Sequence, residues 1–294
     1  MTLFIPSPSI SSFQLGPLTL HIYALCLITG IITAWAIGVR RWRARGGTTE
    51  NFEAVLIWTI PLGIVGARIY HVLTHLGDYF GPGINPWSVF FIWEGGIAIY
   101  GAIGAGALAA WLIARREKVA FAAFADALAP GIAIGQASGR FGNWFNQELY
   151  GQPTTLPWGL EIDPAHRAPG FEQYATFHPT FLYESLWCLL VAVVLVLVDR
   201  RFSLARGQVF ALYGILYTLG RGVIEMLRSD QANYVLGLRL NVWTSVTVFA
   251  GSVLAFWLLG VRASRESSAE YPPADTSTAD EASINESHPS QHPD

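Results

Sequence analysis

Residues 139–151 read Gly-Arg-Phe-Gly-Asn-Trp-Phe-Asn-Gln-Glu-Leu-Tyr-Gly and close an apolar stretch long enough to lie in a membrane. They place a guanidinium (Arg140), two carboxamides (Asn143, Asn146) and a carboxylate (Glu148) in one short run. An arginine at bilayer depth costs about 3 kcal/mol or more, so it persists where something useful meets it. A second set stands further on: Arg221 and Glu225, four apart and so on one helical face, with Arg228 a turn beyond. His178, Tyr183 and Glu184 open another apolar run, and Arg68, His71, Glu94 and Tyr100 stand at further span ends. His21 and Tyr23, at the start of the first apolar run, could be interfacial belt residues or site groups. Arginines brought to one depth beside acids and amides would form a buried cationic pocket. The guanidinium fork suits phosphate oxygens and keeps its charge when partly desolvated. A phosphorylated ligand within a bilayer is most simply a phospholipid, with Gly139, Gly142 and Gly151 letting backbone approach a headgroup or a second helix.

The elements that must position these residues follow from composition. Hydrophobic residues make up 52% of the 294-residue chain and charged ones 13%, about half the charged share of a soluble domain. With a mean hydropathy of +0.38, this is a polytopic membrane protein. The net charge of −3 conceals a division: the last 29 residues carry seven acids and neither Lys nor Arg. Cys26 and Cys188 both lie in apolar runs and read as small buried hydrophobes, not as a disulfide or metal site. A cleavable signal peptide is not expected, because the start lacks a charged region and the first apolar stretch is full length.

Seven spans are predicted, over residues 18–39, 53–74, 89–114, 121–142, 179–198, 208–227 and 241–261. Alternate connections carry 12 of the 18 basic residues, around positions 40–45, 115–118, 200–206 and 262–265. By the positive-inside rule this places the N-terminus outside and the C-terminus in the cytoplasm. The expected fold is an all-α polytopic membrane protein. Its transmembrane domain covers 1–265, with a small extracytoplasmic cap at 144–178 and a disordered acidic cytoplasmic tail at 266–294.

Structural roles compete with functional ones at each position. Arg221 and Glu225 could be an intramembrane ion pair that serves packing, and Glu184 could simply satisfy a neighbouring arginine. Arg68 and Arg228 are expected to snorkel to the interface. An anionic phospholipid transporter or flippase would use the same arginines without chemistry, and a membrane scaffold would use them for packing alone. P-loop, zinc-site and dinucleotide motifs are not found, so neither cofactor nor metal is expected, nor a nucleic-acid partner.

The 139–151 run resembles the G-R-x-G-N-[FW]-x-N-x-E-x-x-G signature of the bacterial prolipoprotein diacylglyceryl transferase family. His21-Ile22-Tyr23, Gly66-Ala67-Arg68-Ile69-Tyr70, Trp93-Glu94-Gly95-Gly96, His178-Pro179-Thr180-Phe181-Leu182-Tyr183-Glu184 and Arg221…Glu225 resemble further family boxes in the same order. The resemblance covers roughly residues 15–262. It implies a bacterial cytoplasmic (inner) membrane enzyme that moves the diacylglyceryl group of phosphatidylglycerol to the lipobox cysteine of a prolipoprotein signal peptide. A thioether forms and glycerol phosphate leaves, the first step of lipoprotein maturation. Arg140 and Arg221 would then bind the phosphate and stabilise the leaving group. Asn143 and Glu148 would hold the headgroup and the arginines, Glu225 would orient Arg221, and Tyr23 would contact lipid or substrate. Asn146, Gly151, His178, Tyr183 and Glu184 would complete the substrate site.

The resemblance departs at one place. Family members carry a histidine, proposed as the base, a few residues after the Trp-x-Gly-Gly box, and here Tyr100 stands there. An ordinary phenol titrates near 10 against about 6.5 for imidazole, so it is a poor base at neutral pH. Either nearby arginines acidify Tyr100, or the proton leaves by another route while Tyr100 positions groups. The second is favoured, because a thiol of pKa about 8.5 beside arginines ionises readily. Tyr100 is therefore a site residue, grouped with Arg140 and Arg221 as catalytic, with its role unassigned.

Overall fold

The computed structural model describes residues 4–270, apart from positions 17 and 82. Seven α-helices are described: α1 (Ile22–Arg43), α2 (Thr49–Thr74), α3 (Ile99–Arg116), α4 (Phe121–Phe145), α5 (Thr180–Arg201), α6 (Gln208–Leu227) and α7 (Leu240–Glu270). Three two-stranded antiparallel sheets lie between them: β1 (Ser12–Leu15) with β2 (Leu18–His21), β3 (Leu160–Glu161) with β4 (Thr176–Phe177), and β5 (Tyr234–Val235) with β6 (Leu238–Arg239). The all-α expectation therefore holds for the spans and not for the connections.

Among the described residues, α1, α2, α5, α6 and α7 are long and apolar enough to cross a membrane. The other two are less apolar for different reasons. Helix α3 has 18 residues, two of which are Arg115 and Arg116. Helix α4 gives positions to Asp126, Gln136 and Arg140 and is rich in alanine and glycine. It is the inner helix, packed against α1, α3, α5 and α6, so its polar groups face protein.

A glycine ladder on α4 lets α1 lie close. A Cβ on Gly131 would sit 2.7 Å from the carbonyl oxygen of Ala34, and one on Gly30 would sit 2.8 Å from that of Gly135. One on Gly142 would collide with the ring of Tyr23. Small residues at this spacing let backbones approach and add dispersion contacts, which drive helix association where lipid is as apolar as protein. The ladder thus fixes Tyr23 beside the last turns of α4.

The third span departs from expectation. Helix α3 begins at Ile99 rather than near residue 89, and residues 86–94 form two short 3-10 turns. Gly95 (φ 90°) and Gly96 (φ 72°) take left-handed conformations that a continuing helix cannot use. Arg68 holds this loop. Its guanidinium donates to the carbonyls of Ser88 (2.6 Å), Val89 (2.8 Å), Gly95 (2.6 Å) and Gly96 (2.9 Å) and lies 4.9 Å from the Tyr79 ring centre. With 7% of its surface exposed, Arg68 does not snorkel, because the folded loop supplies the acceptors that water would have supplied.

Two core clusters hold the helices together. Trp42, Phe52, Val55, Ala114 and Phe124 join α1 to α4, while Ala133, Val191, Leu195 and Val209 join α4, α5 and α6. Nearby, Arg41 and Arg45 both pair with Asp199 (3.1 and 2.7 Å), and Asp126 accepts the backbone N–H groups of Gly207 (2.6 Å) and Phe210 (2.8 Å). The basic ends of α1 and α5 therefore meet the starts of α4 and α6 at one end of the bundle.

The cap sits at the opposite end. Helix α4 continues to Phe145, so the cap begins at Asn146. Its core is Tyr150, Leu160, Ile162, Phe177 and Phe181, and Ile5 packs against it. Helix α7 reaches Glu270, five residues into the stretch expected as a tail, and residues 271–294 lie outside the described residues.

Candidate active site

The last turn of α4 presents Arg140 and Asn143 three residues apart, on one face. The chain then passes through left-handed conformations at Gln147 (φ 53°) and Leu149 (φ 58°), each costing of order 1 kcal/mol or more for a residue with a side chain. That bend returns Glu148 to the helix. Its Oε1 accepts the amides of Asn143 (2.8 Å) and Asn146 (3.3 Å), while Arg140 donates to Asn143 Oδ1 at 3.4 Å. Gln147 anchors the bend by donating to Asp163 (2.6 Å) and accepting its backbone N–H (2.8 Å).

Glu184, in the second turn of α5, is buried and joins the two predicted arginines. One carboxylate oxygen pairs with Arg140 and the other with Arg221. Arg221 also pairs with Glu225 one turn along α6, at 2.5 Å. Glu225 is fully buried, and its other oxygen accepts Arg239 Nε (2.9 Å) and Asn241 Nδ2 (3.0 Å). Arg228 is 7% exposed, 3.7 Å from Glu225 and 2.6 Å from Asp230, so it is a buried partner rather than a snorkelling residue. The loop after α6 folds back and offers it a carboxylate. Arg239 closes the chain by pairing with Asp230 at 3.0 Å. Burial pushes the Asp230 carboxyl upward, but Arg228 and Arg239 outweigh it and hold the group below its ordinary value.

Four guanidiniums and four carboxylates thus form one network, and each charge has a partner. Only about 10 Å³ of space remains between Arg140, Asn143, Glu184 and Arg228, room for roughly one water. Any group entering between the two arginines would have to take over guanidinium contacts that Glu184 holds. A larger groove of about 670 Å³ lies between α6 and α7, lined by Ile215, Val253, Phe256 and Trp257, and none of the site arginines reaches it.

The other predicted residues divide into groups. Tyr23 lies against Gly142, next to Asn143. Gly151 pairs with Arg228 as a β-bridge and donates its N–H to the His178 carbonyl (2.9 Å), stitching cap to site. The imidazole of His178 lies 3.2 Å from the Tyr183 hydroxyl, which also accepts Trp158 Nε1 at 3.0 Å. These two side chains bond to one another and to the cap, one step away from the arginines. Tyr100 donates to Asn241 (3.1 Å) and meets Glu225 through that amide. Asp230, Arg239 and Asn241 were not foreseen. Their signal in the sequence is slight, because polar residues at the edge of an apolar run are ordinary.

Membrane-length helices closing on a buried network of arginines and carboxylates define an integral membrane protein in which Arg140 and Arg221 meet on one buried carboxylate. Residues 11–258 match the family model for prolipoprotein diacylglyceryl transferase, and the chain belongs to that family. The phosphatidylglycerol–prolipoprotein diacylglyceryl transferase of Cutibacterium acnes is 55% identical over 257 residues, covering 87% of each chain. That of Paenarthrobacter aurescens is 50% identical, covering 91% of this chain and 87% of its own. Phosphatidylglycerol–prolipoprotein diacylglyceryl transferase 2 of Streptomyces coelicolor is 54% identical, covering 85% of this chain and 79% of its own.

Proposed function

We propose that this protein transfers the diacylglyceryl group of phosphatidylglycerol to the lipobox cysteine thiol of a prolipoprotein signal peptide. The thiol sulfur bonds to the terminal glyceryl carbon, the bond from that carbon to the phosphate oxygen breaks, and glycerol phosphate leaves with the bonding pair. The thiol proton goes to solvent or to the leaving phosphate. The phosphate passes from one negative charge to nearly two, so groups that bind the second charge accelerate the step. The observation that carries this reading is the meeting of Arg140 and Arg221 on one buried carboxylate, Glu184. Two guanidiniums held that close by an internal anion are preorganised for an external one. Asn143 and Glu148 fix Arg140 from the α4 side, Glu225 fixes Arg221 from the α6 side, and Tyr23 and Gly151 bound the headgroup space.

Family membership supports a seven-span arrangement in the cytoplasmic membrane. In it the basic end of the bundle faces the cytoplasm, and the N-terminus and cap lie outside. The site would then open where a lipobox cysteine emerges.

The competing activity is movement of an anionic phospholipid without chemistry. Vesicles containing the purified protein and headgroup-labelled phosphatidylglycerol separate the two. The transferase releases labelled glycerol phosphate only when a lipobox peptide with a free thiol is present. A transporter redistributes intact lipid, with or without peptide, and that outcome would overturn the proposal.

A further inference from the structure

Glu225 is held from α7 as well as from its own helix. Arg221 occupies one oxygen at 2.5 Å, and the other receives Arg239 (2.9 Å) and the Asn241 amide (3.0 Å). The far end of Asn241 takes the Tyr100 hydroxyl at 3.1 Å, linking the first turn of α3 to the first turn of α7. Chemistry fixes the direction of each bond. A carboxylate only accepts, so the end of Asn241 that faces Glu225 must be its NH2 group, which leaves its carbonyl oxygen facing Tyr100. A carbonyl oxygen also only accepts, so the phenolic O–H points at Asn241. The lone pairs of Tyr100 then face away from the amide, and the residue as a whole is 44% exposed.

We infer that Asn241 is a positioning residue of the transfer site: it fastens Tyr100 to the Glu225–Arg221 pair and holds the hydroxyl as an acceptor for the incoming thiol S–H. The inference rests on the transferase reading. It gives Tyr100 an orienting role, because its own proton is committed to a weakly basic amide oxygen and cannot be handed on. The same carboxylate that aligns Arg221 for the phosphate thereby aligns Tyr100 for the thiol, so both reactants are referenced to Glu225.

The test is a double-mutant cycle on the full chain, with phosphatidylglycerol vesicles and a lipobox peptide. Tyr100→Phe and Asn241→Ala should each lower kcat/KM for the peptide about tenfold while leaving KM for the lipid within about twofold. The double variant should be no slower than the slower single one, because both substitutions break one chain. The pH–rate profile of Tyr100→Phe should keep the wild-type shape. Additive losses would overturn the Asn241–Tyr100 link, and disappearance of a titrating limb in Tyr100→Phe would make Tyr100 a base and overturn the orienting role. If Asn241→Ala lacks a cooperative thermal transition in detergent, Asn241→Ser, whose hydroxyl is too short to bridge, takes its place with the same expectations. A wild-type protein that forms no thioether product would sink the transferase reading itself, whereas an active wild type with additive losses would sink only this inference.

Discussion

Glu184 lies between Arg140 and Arg221 and pairs with both, the place that the proposed function gives to a phosphate. Removing its charge leaves two guanidiniums facing one another with little water near them. Breaking a buried pair on one side costs about 3–5 kcal/mol, so Glu184→Gln should lower the thermal unfolding temperature in detergent markedly. Inorganic phosphate should restore part of that loss, and an unchanged transition would show that the carboxylate contributes nothing. Asp230 gives the corresponding pH behaviour. Its folded-state pKa lies below the unfolded value of about 3.9, so its stabilisation is present above that value and is lost as pH falls through the folded pKa. Melting temperature measured from pH 6 to pH 3 should therefore fall more steeply for wild type than for Asp230→Asn. Arg140, Asn143, Glu148, Arg221 and Glu225 were legible in the sequence, because charge within apolar runs demands a partner. Arg239 and Asn241 were not, since they stand at the edge of a span, where water is an adequate partner. Arg68 and Arg228 were misread for a related reason: sequence gives depth but not the carbonyls and carboxylates that a folded loop brings back.

At the scale of elements, the α1–α4 contact carries the site. Gly142 leaves room for the Tyr23 ring, whereas a Cβ on Gly104, in α3, would meet nothing within 4 Å. Gly142→Val should displace Tyr23 and the turn bearing Asn143, with a loss of transfer activity of at least tenfold, in line with overpacking costs of about 1–3 kcal/mol. Gly104→Ala should leave activity intact and slightly raise stability, since alanine is the better helix former by about 1 kcal/mol. Equal behaviour of the two variants, measured by peptide lipidation and thermal unfolding, would contradict the packing account. Span positions were legible wherever apolar runs ended in arginines, as after α1 and α5. The start of α3 was not, because residues 89–93 are all apolar and run on towards the helix while Gly95 and Gly96 break it. The Gly-Gly pair was visible, but what it needed was knowledge that Arg68 would gather the loop around itself.

For the whole molecule, charge and apolarity divide the labour. The end of the bundle where Arg41 and Arg45 meet Asp199 is a brace that closes α1 on α5, and the end where Arg140 and Arg221 meet Glu184 is closed by a carboxylate that the phosphate displaces in the proposed reaction. Membrane class and helix number could be read from composition, and the family from co-linear motifs. Convergence of α4, α5, α6 and α7 on one network could not, since it depends on packing between residues up to about a hundred positions apart, as from Arg140 to Asn241. In the proposed reaction this network transfers a diacylglyceryl group and depends on guanidinium geometry at Arg140. Both can be followed by mass spectrometry of a lipobox peptide incubated with the purified protein and phosphatidylglycerol. The expected result is a gain of one diacylglyceryl mass on the cysteine, reduced at least a hundredfold in rate by Arg140→Lys, which keeps the charge and loses the fork. A peptide that never gains that mass, or an Arg140→Lys variant as fast as wild type, would contradict it.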